Sequence, residues 1–477
     1  MTNRHVWAGI LTLALAACAE PGSNPASPDG LNFASTQTNL GGTIGINVLL
    51  RAPATAEQLA ELNTIGTVRD LIPEINALTM QIKSGNLPAV QALSYVAAAG
   101  PDAERNAKPV DAVAATDFAN GLSTWDQDAI NATVQPFSGA RGVAYDGSGV
   151  YVGILDTGLL PTWRQYFPQE RIATQYARSF GGGGGENGTV SSQPNKWEDD
   201  VNAHGTHVTS TILGYQFGLN KINGTAPLAT IIPVKVLNQN GSGWSSVVAR
   251  GIVYIADLKA SELSGSPMVI NMSLGGGALD PMEQAAIDYA VGQGVIIVAS
   301  AGNGGTRGMG YPGAYAPVIS VAASGWIGEW KLCATSTVNR GSFWVRCNVA
   351  EPTSAADFYI TDFSSREKAG QDLDVAAPGS WVVGPYQTNQ GQINYFFLGG
   401  TSMASPHVAG IVALMAQKHP SLTASQAETI LETTAIPLPP GSRNVTQPSG
   451  VVLVRSWGAD ATGAGLATAD AALAGTP

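Results

Sequence analysis

Residues 400–410, which read GTSMASPHVAG, are the most informative stretch of the chain. They lie between an apolar segment, Tyr395 to Leu398, and a second apolar run from Val408 to Met415. This arrangement predicts a strand, a tight turn and a helix, because glycine lets the backbone turn sharply. Ser402 then falls in the first turn of the helix, where unpaired N–H groups and the helix dipole favour negative charge. A serine at a helix start is usually only a cap, so a catalytic role needs partners elsewhere in the chain.

The composition limits the possible classes of protein. With 477 residues the chain is longer than one ordinary domain, and two or three units are expected. The net charge of -11 and the pI of about 4.9 argue against nucleic acid as a partner. Beyond the N-terminus no apolar run reaches the ~18–20 residues that are needed to span a bilayer.

The N-terminus has the pattern of an export signal. Residues 1–17 combine a charged start with an apolar run and predict a signal peptide. Leu15-Ala16-Ala17-Cys18 resembles the lipobox of bacterial lipoproteins, in which the cysteine is lipidated; an ordinary signal peptide with a cysteine near its cleavage site is the alternative. Residues 18–41, rich in Pro, Gly, Ser and Asn, predict a flexible tether. We therefore expect an exported protein that a lipid anchor holds at the outer membrane or cell surface unless processing releases it.

Residues 42–105 predict a small α+β domain. Strands are expected at Gly45–Leu50, Ile75–Ile82 and Val96–Ala99, and helices at Thr55–Leu62 and Pro88–Tyr95. The first helix has a capping-box signature, with Thr55 as the cap and Gln58 three residues later. The order of elements is β-α-β-β-α-β.

Residues 122–474 predict an α/β domain with a mostly parallel sheet and helices on both faces. Short apolar strands are expected at Val150–Leu155, Thr230–Val236, Pro267–Met272, Gly294–Ser300 and Val318–Ala322, with helices at Gly205–Leu213, Ser245–Leu263 and Pro281–Gly292. Apolar strands that alternate with helices are typical of parallel sheets. Functional groups in such folds gather at the carboxyl ends of the strands.

Asp156 directly follows one of these strands, in the tripeptide Asp156-Thr157-Gly158. Aspartic proteases use the same tripeptide, but they need two carboxylates that share a proton. The chain has no second Asp-Thr/Ser-Gly, so that interpretation would require a homodimer and would leave the other motifs without a role.

His204 opens the sequence HGTHV, residues 204–208, which predicts a helix start. Two histidines three residues apart can indicate a metal site, but the glutamate of the His-Glu-x-x-His motif is missing. Asn303 lies among glycines after another strand, in the sequence AGNG, residues 301–304. Such an asparagine is usually a turn residue.

Together these motifs resemble the subtilisin-like serine proteases, or subtilases, over residues 122–474. The order Asp156, His204, Ser402 is that of subtilisin and not of chymotrypsin or the α/β-hydrolases. The resemblance implies that Ser402 is the nucleophile, His204 the general base and Asp156 the residue that orients it. It also implies that the side chain of Asn303 and the backbone N–H of Ser402 bind the oxyanion. His207 and His407 are expected to be structural.

The resemblance also bears on cofactors and on the small domain. Catalysis needs no metal or organic cofactor, whereas structural calcium is common in the family. Asp199, Asp200 and the loop Leu219–Gly224 are rich enough in oxygen to be suspected, although no ligand set is defined. Residues 42–105 resemble the inhibitory propeptide of these enzymes, and residues 106–121 would then be the processing linker.

Two glycine-rich segments resemble those between which family substrates lie. The segments are Gly241-Ser242-Gly243 and Ser273-Leu274-Gly275-Gly276, where an incoming strand can pair with the backbone; two ordinary loops are the alternative. Together with Gly302 they leave few side chains to fill the first specificity pocket, which predicts a preference for large apolar residues. The absence of an acidic cluster argues against a dibasic specificity.

Two insertions depart from the compact family pattern. Residues 179–200 contain five consecutive glycines, and residues 326–360 contain Cys333 and Cys347. With Cys18 lipidated, these two cysteines are an even number in an exported protein, which predicts a disulfide between them. Two free, buried cysteines are the alternative.

The sequence therefore predicts an exported, lipid-anchored serine endopeptidase that is made as a zymogen. Its partners would be polypeptide substrates and its own propeptide, with no nucleic acid and with the membrane only through the lipid. The alternative from another class is a non-catalytic envelope lipoprotein that uses the same fold to bind peptides.

Overall fold

A computed structural model describes residues 42–115, 124–133, 140–183, 191–192, 196–217, 220–331, 349–387 and 394–477. The predicted signal peptide 1–17, the lipidated Cys18 and the tether lie outside the described residues. So do Cys333 and Cys347, residues 116–121 of the processing linker and residues 184–190 and 193–195 of the glycine-rich insertion.

The small N-terminal domain is a four-stranded antiparallel sheet with two helices. Its elements are β1 (Thr43–Leu50), α1 (Ala56–Ile65), β2 (Gly66–Ile72), β3 (Ala77–Lys83), α2 (Leu87–Gln91) and β4 (Val96–Pro101), and the sheet order is β2-β3-β1-β4. Thr55 and Gln58 form the expected capping box at the start of α1. The second helix is shorter than the sequence indicates.

A nine-stranded sheet forms the centre of the large domain. Its strands are β7 (Tyr151–Asp156), β8 (Arg178–Gly181), β9 (Ser191–Ser192), β12 (Thr230–Lys235), β14 (Met268–Met272), β15 (Val295–Ser300), β16 (Ile319–Trp326), β17 (Phe358–Ile360) and β18 (Val375–Pro378). The order is β17-β16-β15-β14-β7-β12-β8-β9, with β18 also paired to β16. Only β17 and β9 pair antiparallel with their neighbours. The predicted mostly parallel α/β fold is confirmed.

Helices cover both faces of this sheet. They are α3 (Trp125–Ala129), α4 (His204–Leu213), α5 (Ser245–Ala260), α6 (Pro281–Gly292), α7 (Thr401–Lys418), α8 (Ala424–Thr434) and α9 (Ala469–Gly475). Successive residues of β7 point into two different cores, since Ile154 packs with residues of α4 and α7 and Leu155 with residues of α5 and α6. Among the described residues no helix is both long and apolar enough to cross a membrane.

Short strands complete the architecture around the edge of the large sheet. They are β5 (Glu104–Asn106), β6 (Asp111–Ala114), β10 (Gly214–Phe217), β11 (Asn220–Asn223), β13 (Ser242–Trp244), β19 (Val382–Pro385), β20 (Tyr395–Gly399), β21 (Gly441–Thr446) and β22 (Val452–Trp457). The strand β5 pairs antiparallel with β13, and β6 pairs antiparallel with β20. The residues that follow the small domain therefore pair as strands with the large domain, and β20 leads directly to Ser402.

Candidate active site

Asp156 and His204 form a buried pair at the carboxyl end of strand β7, in the middle of the large sheet. Asp156 is the last residue of β7 and His204 the first of α4, so a strand end and a helix start bring them together. His204 Nδ1 lies 2.9 Å from Asp156 Oδ1 and 3.0 Å from Oδ2. In the described part of the chain His204 Nε2 has no hydrogen-bond partner. A carboxylate on Nδ1 favours the tautomer whose Nε2 can accept a proton.

Thr157 connects the carboxylate to the histidine helix. Its backbone N–H donates to Asp156 Oδ1 at 2.7 Å. Its hydroxyl accepts the N–H of Gly205 at 3.0 Å and donates to Asp200 Oδ2 at 2.9 Å. The side chain of Thr157 thus fixes the first turn of α4 relative to the end of β7.

Asp200 is a buried carboxylate that organises the chain just before α4. It accepts the backbone N–H groups of Ala203 and Asn202 at 3.0 and 2.9 Å, in addition to the Thr157 hydroxyl. Burial raises the pKa of its carboxyl to about 6, against the opposing charge of Lys235. Asp200 thus holds the chain in front of α4, and its role as a calcium ligand stays a prediction.

Ser402 lies in the first turn of α7, and its side chain is buried. Its hydroxyl donates to the carbonyl oxygen of Ser273 at 3.1 Å, and the Ser273 hydroxyl donates to the carbonyl of Ser402 at 2.8 Å. The helices α4 and α7 pack against each other. Within the described residues no hydrogen bond joins Ser402 to His204 Nε2; catalytic hydrogen bonds often form only when substrate is bound.

Asn303 is held with its donor group beside Ser402. Its Oδ1 accepts both the backbone N–H and the hydroxyl of Thr401 at 2.9 Å. The Thr401 hydroxyl in turn accepts the N–H of Gly302 at 3.2 Å. A Cβ placed on Gly400 would lie 3.7 Å from both Asn303 Nδ2 and the Ser402 nitrogen, so both donors border the same small space. Thr401 was not among the predicted site residues, although its position next to Ser402 was a usable signal.

The two remaining histidines of the motifs are structural. His207 Nε2 lies 3.1 Å from the carbonyl oxygen of Val382, and burial lowers the pKa of His207 to about 3. His407 lies between the carbonyl of Met403 at 2.9 Å and Asp126 Oδ2 at 3.0 Å. Both rings are fully buried and serve the packing of α4 and α7.

The two glycine-rich segments face each other across a strand of the chain itself. Asn106 exchanges backbone hydrogen bonds with Gly275 at 2.9 and 3.0 Å, and Ala107 donates to the carbonyl of Gly241 at 2.8 Å. A Cβ on Gly276 would overlap the carbonyl oxygen of Glu104, so this position requires glycine. Ser242 and Gly243 pair with Asn106 and Arg105, whereas Ser273 and Leu274, which precede Gly275, are buried. The segments therefore form a groove that accepts an extended polypeptide.

A group of carboxylates away from the groove has the chemistry of a cation site. Asp372, Asp374 and Glu428 bring three carboxylate oxygens within 4.8 Å of one another. Asp374 Oδ2 accepts the N–H of Ser320 at 2.6 Å, whereas its buried Oδ1 has no hydrogen-bond partner among the described residues. Carboxylate oxygens suit calcium, so these three residues are a candidate calcium site that the sequence did not single out.

Comparisons with known proteins agree with this geometry. The model of the Subtilase family matches residues 147–465. Subtilisin DY of Bacillus licheniformis is 34% identical over 295 residues, which cover 61% of this chain and 85% of the relative. Thermitase of Thermoactinomyces vulgaris is 32% identical over 290 residues, with 61% and 82% covered. The crystal structure of fervidolysin from Fervidobacterium pennivorans, described as a keratinolytic enzyme related to subtilisin, has the same fold with a TM-score of 0.62; the 23% identical match covers 92% of this chain and 62% of that one.

Proposed function

Because the chain belongs to the subtilase family of serine proteases, we propose that it is an exported endopeptidase that works through an acyl-enzyme on Ser402. The observation that carries the proposal is the buried Asp156–His204 pair, whose Nε2 is unpartnered among the described residues, next to the helix that begins with Thr401 and Ser402. Neutral serine is a poor nucleophile and needs such a base.

The reaction follows from these residue types. His204 Nε2 takes the proton of Ser402 as Oγ attacks the peptide carbonyl carbon, and Asp156 stabilises the imidazolium. The tetrahedral intermediate collapses when His204 returns the proton to the leaving nitrogen, which breaks the C–N bond. Water then attacks the acyl-enzyme by the same route and releases Ser402.

Asn303 Nδ2 and the Ser402 backbone N–H are the proposed donors to the oxyanion. Support comes from the Thr401 side chain, which occupies the acceptor end of the Asn303 amide and leaves its donor end facing the space beside Gly400. Donors that are fixed before the reaction stabilise developing charge without reorganisation.

The small domain 42–105 is the proposed inhibitory propeptide. Residues 104–107 fill the groove between the two glycine-rich segments, where a substrate would have to bind. The domain also holds the starts of α5 and α6, since Asp102 accepts the N–H of Ser246 at 3.0 Å and Asn47 donates to Asp280 at 2.7 Å. A chain that occupies its own groove is expected to be inactive until it is cut.

Substrate preference and location complete the proposal. The small side chains at Gly275, Gly276 and Gly302 support a preference for large apolar residues before the scissile bond. The lipobox-like sequence that ends at Cys18 supports a lipid anchor in the cell envelope. Replacement of this residue, Cys18→Ser, should move the protein out of the membrane fraction.

A casein digest tests the activity directly. The full chain should hydrolyse casein once it has processed itself, Ser402→Ala should not, and the exposed control Ser421→Ala should match the wild type. Mass spectrometry should place the new N-terminus between residues 102 and 124. Equal casein hydrolysis by the wild type and Ser402→Ala, or activity in a chain still joined to residues 42–100, would contradict the proposal.

A further inference from the structure

Arg105 is a fully buried cation inside the groove. Its side chain is 0% exposed and that of Glu283, on α6, is 1% exposed. The Arg105 guanidinium donates to Glu283 Oε2 from Nη2 at 2.6 Å and to Oε1 from Nε at 3.1 Å. Nη2 also donates to the carbonyl of Ala278, and Nη1 to that of Glu104, both at 3.0 Å. The carboxylate of Glu283 thus balances the charge of the guanidinium, and the carbonyl oxygens of Ala278 and Glu104 accept further hydrogen bonds from its N–H groups.

The register of the groove shows which position Arg105 occupies. Arg105 pairs with Gly243, and two residues later Ala107 donates to Gly241. Further along the chain, Val110 donates to the carbonyl of Gly399, three residues before Ser402, at 2.7 Å. Lys108 and Pro109 lie between these two anchors, and we take the peptide bond that joins them as the scissile bond. A substrate bound in the same register therefore has its fourth residue before the scissile bond where Arg105 lies.

Within the described residues, the hydrogen bonds to the Glu283 carboxylate all come from Arg105. A buried carboxylate is costly unless it is paired and hydrogen-bonded. When processing removes the small domain, Arg105 leaves with it and Glu283 remains at the wall of the groove. The carbonyl of Ala278 stays in place as a second acceptor, in the geometry that a planar guanidinium fits and a lysine ammonium does not reproduce.

We propose that Glu283 makes this position of the groove a subsite selective for arginine, so that the enzyme prefers peptides with arginine four residues before the cut. The inference rests on the proposed endopeptidase function. The lack of an acidic cluster in the sequence around Gly275, Gly276 and Gly302 bears only on the residue next to the scissile bond. The acid that recognises a basic substrate comes instead from the first turn of α6.

Peptide substrates that differ at one position test the inference. The full chain is allowed to process itself and is given Arg-Asn-Ala-Lys-p-nitroanilide and the same peptide ending in Phe-p-nitroanilide. Each is compared with analogues that carry citrulline, which has the shape of arginine without its charge, lysine or leucine in the first position. The wild type should show a kcat/KM for arginine at least about thirtyfold above that for citrulline, the loss expected when one partner of a buried charge pair is removed.

Variants of the acid assign the preference to Glu283. Glu283→Gln should reduce the arginine-to-citrulline ratio to near one, and Glu283→Leu should favour leucine. The exposed Glu262→Gln is the matched control and should keep the wild-type ratio. Because a lone Glu283→Leu precursor buries an unpaired Arg105, the double variant Arg105→Leu with Glu283→Leu is made as well; an apolar pair in place of a buried ion pair is generally tolerated.

The outcomes distinguish a failure of the proposed subsite from a failure of the proposed protease function. Casein hydrolysis by a wild type that cuts the arginine and citrulline peptides equally overturns the subsite and leaves the protease function standing. An arginine preference that survives in Glu283→Gln or in the double variant also overturns it. No hydrolysis of casein or of any peptide overturns the protease function itself, and the subsite with it. A preference that disappears only with Glu283 supports the inference.

Discussion

Glu329 allows a quantitative test of how the segment 326–360 is attached to the large domain. Its side chain is buried, and Oε1 accepts the backbone N–H of Trp326 at 2.9 Å. Its Oε2 accepts the hydroxyls of Tyr359 and Ser380 at 2.9 and 3.0 Å. Burial raises the pKa of Glu329 from 4.5 to about 8 in spite of these hydrogen bonds. The folded protein therefore keeps this carboxyl protonated across most of the neutral range.

The sign of the pH effect follows from which state holds the proton. Between its unfolded pKa of 4.5 and its folded pKa of about 8, Glu329 is ionised in the unfolded chain and protonated in the folded one. The free energy of unfolding therefore falls as pH rises through this window and levels off above it. At about 1.4 kcal/mol for each pKa unit, the loss amounts to about 5 kcal/mol. Glu329→Gln cannot ionise and should not show this loss.

Urea unfolding measures the effect in a Ser402→Ala background, which prevents self-digestion. The free energy of unfolding is compared at about pH 5 and about pH 9 for the Ser402→Ala parent, for Glu329→Gln in this parent and for the exposed control Glu262→Gln. The comparison uses differences between variants, because Asp200 and Asp374 titrate in the same direction. If Glu329→Gln loses as much stability between the two pH values as its parent, the carboxyl does not stay protonated in the folded state and the reasoning fails.

Three further predictions concern the groove, the processing site and the cation site. Asn303→Leu should lower kcat by about 10²–10³, the range known for a subtilisin-type oxyanion donor, with little change in KM; a change confined to KM would contradict the role. Pro109→Ala should speed self-processing in a gel time course, because the proline ring replaces the N–H of an ordinary peptide and crowds the nitrogen that His204 must protonate; an unchanged rate would contradict the register at Lys108. Chelation of calcium should lower the Tm of the Ser402→Ala protein, and Asp374→Asn should remove this sensitivity; an equal response of both proteins would place the ion elsewhere.

The sheet and the catalytic motifs could be predicted because their signals are local. Each apolar run between glycines or polar residues became a strand, as Val295–Ser300 illustrates. Asp156 and His204 stand at an element end, and Ser402 next to one, so finding the strand or helix also located the side chain. The capping box of Thr55 and Gln58 spans four consecutive residues and was visible for the same reason.

What the sequence did not reveal depends on contacts between distant residues. Arg105 and Glu283 are 178 positions apart, and neither stands in a motif. The boundary expected between residues 105 and 106 falls inside β5, because the strand forms against β13 and not from a local preference. The hydrogen bonds that Asp200 accepts from Thr157 and Ala203 were not predicted, because the acidic run that contains it equally suits a metal ligand.

The arrangement of the groove explains why selection has to come from a residue such as Glu283. Glycines at 241, 243, 275 and 276 recognise only the backbone of a strand, and backbone pairing is nearly independent of sequence. Selectivity for particular substrate side chains must then come from side chains that border the groove. A buried carboxylate discriminates between substrates more sharply than an apolar wall of similar size, because the wrong substrate leaves the carboxylate unpaired. In the precursor the same contact acts at high effective concentration, since Arg105 is covalently attached. The cut after Lys108 removes that advantage without altering the subsite, so a peptide with arginine needs to compete only with the cleaved segment and not with the tethered one.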